Sequence, residues 1–224
     1  MTTTLPTLTI SFPEIRLHTR DSHKLRGYFG NLFREHSQLL SNHFEDGSSR
    51  YEYPKVQYKV LNETPYLVGV GTEAARLLSE LFLKINELDI DGERIPVFAK
   101  NIEARNWTIG VGDSLQTYRF ETLWMALNQT NHALYQSYSD ERKADQLRGI
   151  ATQNILAFFD NFDLRLPKDV RVMTMLQDIK TLETNFKNNR MLAFKGQFVT
   201  NALLPDLIGL GKSVARGFGS IKRV

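Results

Sequence analysis

Apolar positions along the chain recur with two periods, every second residue and every three or four, and the switches between them mark the elements. "TLTISFPEIRL" (residues 7–17) is rich in β-branched and apolar residues and reads as a strand. Asp21 or Ser22 can cap a helix after it, in which Leu25, Tyr28, Phe29, Leu32 and Phe33 share one face. "KVQYKVL" (55–61) and "YLVGVG" (66–71) read as two strands joined by a turn around Asn62 to Pro65. Thr72 then caps a second helix with Ala74, Leu77, Leu78, Leu81, Phe82 and Ile85 on one stripe. A hairpin turning at Asp91-Gly92 and a strand near "NWTIGV" (106–111) complete the half. Strand, helix, strand, strand, helix, strand is the ferredoxin-like, or RRM-like, order of an α+β domain.

Around "GVGDS" (110–114) the pattern starts again. "TYRF" reads as a strand, followed by a helix over 122–138 and a longer one over 141–162. Long strands at 170–184 and 191–204 turn at "NFKNNR", and a short strand, "SIKRV", follows a glycine-rich loop. The pattern predicts two tandem ferredoxin-like domains, residues 1–112 and 113–224, the second modified and ending in that loop. No close internal sequence repeat accompanies the repeated pattern.

The loop, "GLGKSVARGFG", raises the first chemical question. Gly211-Lys212-Ser213 has the end of a Walker A phosphate loop, but the glycine required five positions earlier is Asp206. A dinucleotide fingerprint fails as well, because Val214 stands where its third glycine belongs. What is left is two Gly-x-Gly pairs, Gly209/Gly211 and Gly217/Gly219, whose lack of Cβ permits positive φ or close approach. From Lys187 onward seven basic side chains face one acidic one, Asp206, whereas the rest of the chain carries 21 basic and 24 acidic residues. Such asymmetry points to a polyanionic partner, with a solvated basic face as the plainer alternative.

Composition narrows the chemistry further. A hydrophobic content of 42% in 224 residues is enough for packed cores. The first residues, "MTTTLPTLTISF", have neither the basic nor the apolar region of a signal peptide. No window is long and apolar enough for a membrane span, so the sequence predicts a cytoplasmic protein. The absence of cysteine excludes thiolate zinc sites and cysteine nucleophiles, and five scattered histidines make metal catalysis unpromising; no cofactor is expected.

"SNHFEDGSSRYEYPKVQYK" (41–59) gathers other chemistry. His43 lies in a polar loop after the first helix, and Arg50, Tyr51, Tyr53, Lys55 and Lys59 follow it. An imidazole exchanges a proton near neutrality, which acid–base cleavage of RNA requires. RNA supplies its own nucleophile, the 2′-hydroxyl, so an enzyme need only align it, move protons and stabilise charge on phosphorus. A loop histidine alone is most often an ordinary surface residue. His36, near the end of the first helix, is the second candidate proton carrier, although a histidine there also suits free carbonyls and the helix dipole.

The glycine spacing resembles the C-terminal signature of the repeat-associated RNA-binding superfamily of CRISPR systems. Within it, "LRGYFGNLF", "YEYPKVQYKV", "RFETLWMALNQTN", "FVTNALLPDLIGLGKS" and "GFGSIKR" are similar to the CRISPR repeat-processing endoribonuclease, the sixth of the numbered Cas proteins. The resemblance covers nearly the whole chain. It implies metal-independent cleavage of precursor RNA within each repeat, giving a 2′,3′-cyclic phosphate or 3′-phosphate and a 5′-hydroxyl. It also places the catalytic histidine at His43, leaving His36, Tyr51 and Lys24 as candidates for the second group. Expected RNA-binding residues are Lys24, Arg50, Lys55, Lys59, Gly209, Gly211, Lys212, Arg216, Gly217, Gly219, Lys222 and Arg223. In the loop, glycine N–H groups would approach phosphates while Lys212, Arg216, Lys222 and Arg223 supply charge. The alternative is a non-catalytic repeat-binding subunit of the same superfamily. The partners implied are CRISPR repeat RNA and an interference complex that receives the product, with monomer and homodimer both open.

Overall fold

The computed structural model describes residues 1–32, 52–186 and 189–224. It divides into two compact units. One comprises Thr4–Trp107 with Val214–Gly217, and the other Met1–Thr3, Thr108–Ser213 and Phe218–Val224.

In the N-terminal unit, β1 (Thr2–Ser11), α1 (Ser22–Leu32), β2 (Val56–Leu61), β3 (Thr64–Val70), α2 (Thr72–Phe82) and the start of β6 (Asn101–Phe120) follow in order. A hairpin of β4 (Glu87–Ile90) and β5 (Glu93–Pro96) intervenes before β6 and forms its own two-stranded sheet. The main strands lie in the order β2-β3-β1-β6, the ferredoxin-like arrangement. Alternation decides which side chains enter the core: Leu8 and Ile10 of β1, Phe12 just beyond it, and Val56, Tyr58 and Val60 of β2 share one buried cluster with the helices. They meet Leu25 and Phe29 of α1 and Leu77, Leu78 and Leu81 of α2. Phe29 sits between Phe12 and Tyr58, with ring centroids 6.5 and 5.9 Å away.

Both short hairpins use positive φ at the two turn residues, +47° and +65° at Asn62-Glu63 and +58° and +85° at Asp91-Gly92. That geometry matches the strand twist. The Thr72 cap is corrected: the cap position is Gly71, with φ +88° and no side-chain cap. The chain turns sharply out of β3 there, and the Gly71 N–H donates to the Pro6 carbonyl at 2.8 Å.

The C-terminal unit consists of the later part of β6, α3 (Gln129–Ser137), α4 (Asp140–Asp160), β7 (Thr174–Phe186), β8 (Asn189–Leu203) and β9 (Ile221–Arg223). Its strands lie in the order β9-β6-β8-β7, which repeats the first order with the loop before β9 in place of the second helix. An aromatic stack fills the core. Phe120 lies parallel to Trp124 at 5.0 Å and contacts Phe198 at 5.2 Å. Trp124 Nε1 donates to Asn154 Oδ1 at 3.1 Å.

Two sequence expectations change here. "GVGDS" does not interrupt the strand: β6 runs on for 20 residues, and a register shift between Val111 and Gln116 absorbs the irregular stretch. The helix expected over 122–138 begins only at Gln129. Residues 124–127 are buried without helical periodicity, and Trp124 exchanges backbone hydrogen bonds with Phe194 at 2.7 and 2.9 Å. Asn128 then caps α3, its side chain accepting from the Asn131 N–H at 2.7 Å. Among the described residues no helix is long and apolar enough to cross a membrane.

Candidate nucleic-acid interface

Four of the sequence-derived candidates, His36, His43, Arg50 and Tyr51, lie outside the described residues. The others can be placed one by one.

Lys24, on the first turns of α1, is held by two carboxylates. Its ammonium is 2.7 Å from Asp21 and 2.7 Å from Asp91 at the tip of the β4–β5 hairpin. The hydrogen bonds its ammonium donates to Asp21 and then Asp91 hold its pKa above the ordinary lysine value, so Lys24 ties helix to hairpin as a fixed cation. Lys55 is half-buried and stands 3.7 Å from Glu73.

Lys59 behaves differently from a surface cation. It is 0% exposed, and its Nζ has no hydrogen-bond partner among the described residues. Alternation along β2 turns Lys59 and Gln57 away from the face that carries Val56, Tyr58 and Val60. Gln57 is satisfied there, its amide donating to the Tyr53 hydroxyl at 2.9 Å and to the Pro54 carbonyl at 3.1 Å. Burial pushes the Lys59 pKa down to about 7, because a buried ammonium loses its hydration.

The glycine loop is built largely by internal packing. Gly219 has φ +64°, and any Cβ there would run into the Leu210 carbonyl oxygen. The Gly219 N–H donates to the Leu123 carbonyl at 2.8 Å, and the Leu210 N–H donates back to the Gly219 carbonyl at 2.9 Å. At Gly211 a Cβ would stand 2.7 Å from Trp124 Nε1. The Lys212 N–H donates to the Met125 carbonyl at 3.0 Å. These amides therefore face inward rather than toward phosphates, and side chains are what this part of the loop offers to a ligand. Lys212 is exposed, and Lys222 and Arg223 are exposed on β9. Gly209 is buried and bridges Ser220. Replacing Gly219 with alanine is expected to cost at least about 2 kcal/mol, through positive φ and the collision with Leu210. Urea unfolding measures it, and an unchanged midpoint would refute this account of the glycine.

In the N-terminal unit, the turn of residues Val214–Arg216 packs near α1 and β2. Gly217, at φ +88°, seats it: a Cβ would lie 2.7 Å from the Ser22 hydroxyl and 3.0 Å from the Tyr58 carbonyl oxygen. Arg216 and Arg26 are both half-buried. Burial holds the pKa of each below the ordinary arginine value, and at Arg26 the nearby positive charge of Arg216 adds to the effect. Arg26 was not singled out from the sequence, because nothing about a lone arginine on a helix announces a partner 190 positions away.

Comparison with known proteins gives a consistent family. Residues 3–108 match the Cas6b N-terminal domain and residues 110–224 match the Cas6b C-terminal domain. A crystal structure of Cas6b superposes with a TM-score of 0.93 at 28% identity, covering 99% of this chain and 100% of the other. A crystal structure of the CRISPR RNA processing endoribonuclease Cas6b gives 0.80 at 26% identity, with coverage of 99% and 100%. An uncharacterised protein of Methanocaldococcus jannaschii is 29% identical over 147 residues, which is 66% of this chain and 99% of that protein. With the two domain matches lying in order along one polypeptide, this chain belongs to the Cas6b family.

Proposed function

We infer that this protein is an endoribonuclease that cuts CRISPR precursor RNA within its repeats. The observation that carries the reading is the match of both Cas6b domains, one after the other.

The chemistry follows from the substrate. The ribose 2′-hydroxyl gives up its proton to a base and its oxygen bonds to the adjacent phosphorus. The bond from phosphorus to the 5′-oxygen breaks, and that oxygen takes a proton. The products are a 2′,3′-cyclic phosphate and a 5′-hydroxyl, and no electron acceptor or metal is required by the balance. His43 carries the proton transfers, with His36 or Tyr51 as its partner group. The doubly bound Lys24 is poorly suited to that second role, since two carboxylates oppose loss of its proton.

The exposed cations Lys212, Lys222 and Arg223 hold the RNA backbone, which fixes register without reading sequence. The enzyme works in the cytoplasm, where the precursor is transcribed, and passes its product to an interference complex.

The direct test is to incubate the protein with repeat RNA in excess EDTA and to map both new ends. Cleavage at one position, with a cyclic or 3′-phosphate upstream and a 5′-hydroxyl downstream, is the expected result. Cleavage that stops with EDTA and returns with a divalent ion would overturn the metal-independent mechanism. RNA that is bound and left whole would favour the non-catalytic subunit.

A further inference from the structure

We propose that the first part of β6, residues 101–107, is an interface between two copies of this chain, which pair edge to edge as antiparallel strands about a two-fold axis at Ala104. The proposal concerns a surface of the N-terminal unit and does not depend on the RNA-processing reading above.

The sheet leaves this edge open. β6 lies between β1 and β8, but its register with β8 covers only residues 110–119 and its register with β9 only residues 118–120. Ahead of Gly110, β1 is its neighbour on one side, and among the described residues no strand pairs with it on the other. Residues 101–106 are all exposed, so neither face of the strand is covered there. Such an edge carries a row of backbone N–H and C=O groups ready to take another strand, and natural sheets commonly guard theirs with lysine or proline. "NIEARNW" has neither, and it exposes Ile102.

The charges select the occupant. Glu103, Arg105 and Trp107 share one face of the strand. Arg105 Nε donates to Glu103 Oε1 at 2.7 Å, its guanidinium lies 5.6 Å from the Trp107 ring centroid, and Trp107 Nε1 donates to the Thr7 hydroxyl at 2.9 Å. When two copies of one strand pair antiparallel about a two-fold axis, residue i opposes residue j and j opposes i. Only the register centred on Ala104 sets Glu103 opposite the partner's Arg105 and Arg105 opposite the partner's Glu103. Centring it on Glu103 or on Arg105 sets like charges against each other. In the Ala104 register the four side chains form a square in which every edge joins opposite charges, and directly opposed pairs of that kind stabilise a sheet whereas like pairs weaken it. The edge is thus complementary to itself, which makes a second copy the occupant it fits. At the centre two alanines meet, so no bulky side chain crowds the axis. The paired stretch is short, and a dimer that forms with rising concentration is expected rather than an obligate one.

The test follows mass across a dilution series by sedimentation, without RNA. Wild type is expected to rise toward twice the 25.8 kDa of one chain as concentration increases. Glu103→Arg and Arg105→Glu are each expected to weaken self-association at least about tenfold, because both symmetry-related pairs turn from attraction to repulsion. Mixed in equal amounts, the two variants are expected to recover it, since the arginines of one then face the glutamates of the other. The double variant, with the charges exchanged, is expected to behave as wild type. Ala104→Cys adds a probe that needs no charge. The chain has no cysteine of its own, and residues opposed at the centre of an antiparallel pair stand within disulfide reach. Mild oxidation is expected to link Ala104→Cys into dimers faster than the exposed control Lys84→Cys. Wild type that keeps the mass of one chain at every concentration would overturn the interface. Dimers unchanged in both single variants, a mixture that stays monomeric, or cross-linking no faster than the control would overturn this edge and register. Thermal midpoints establish that each variant folds, and if a charge variant does not, the cross-linking comparison decides the matter.

Discussion

Replacing His43 with alanine is expected to lower the rate of repeat cleavage by about two to four orders of magnitude while leaving repeat affinity within about twofold. The size comes from what a positioned acid or base contributes to a transition state, ~10² to 10⁴ in rate. Affinity is expected to persist because the charge that holds the backbone resides on lysine and arginine, and an imidazole near neutrality adds little to it. Single-turnover kinetics with enzyme in excess separates chemistry from product release. A wild-type rate in the variant would take the proton transfers away from His43. Equal losses of rate and affinity would instead make His43 a binding residue. The same assay on His36→Ala and Tyr51→Phe assigns the partner group, since only the true partner shares the large loss of rate.

The second large effect concerns Lys59 and is one of stability. Its pKa in the folded chain is about 7, against an ordinary value of 10.5, because burial disfavours the ammonium. Between those two values the unfolded chain holds a proton that the folded chain has released, so the contribution of Lys59 to stability rises with pH through this window. It is least favourable below pH 7 and complete above about pH 10.5. Each pH unit corresponds to about 1.4 kcal/mol, so unfolding at pH 9.5 is expected to require roughly 3 kcal/mol more than at pH 7 from this group alone. Lys59→Met keeps the length of the side chain and removes the proton. It should raise the urea midpoint at pH 7 and flatten the rise between pH 7 and 9.5. A variant less stable than wild type at pH 7, with the slope unchanged, would show that the ammonium is compensated in solution.

Most of the fold was legible because its signals are local. The two-period pattern gave α1, α2, α4 and the hairpin strands, and the Asn62 and Asp91-Gly92 turns announced themselves through residues that tolerate positive φ. The late start of α3 was hidden because a run of buried apolar residues looks the same in a helix as in an extended segment bridged to another strand. The unbroken β6 was hidden because a register shift leaves glycines where a loop would put them. Among the site residues, exposure of Lys212, Lys222 and Arg223 agrees with what a basic glycine-rich segment suggests. Lys59, an expected RNA-binding residue, is buried, and the sequence hid that for a specific reason. On a strand covered on both faces, alternation no longer separates inside from outside, and Val56 to Val60 are all buried. The seating of the Val214–Gly217 turn on α1 depends on the approach of Gly217 to Ser22, residues far apart in sequence, which composition and spacing do not encode.

The assignment of Val214–Gly217 to the N-terminal unit has a consequence for biogenesis. Strands and helices of that unit emerge early from the ribosome, yet four residues that complete its packing follow the entire C-terminal helix pair and the β7–β8 hairpin. A nascent chain can therefore collapse its first unit long before it can finish it, and a polypeptide released early lacks the closing turn altogether. Full packing of the first unit is thus tied to completed translation.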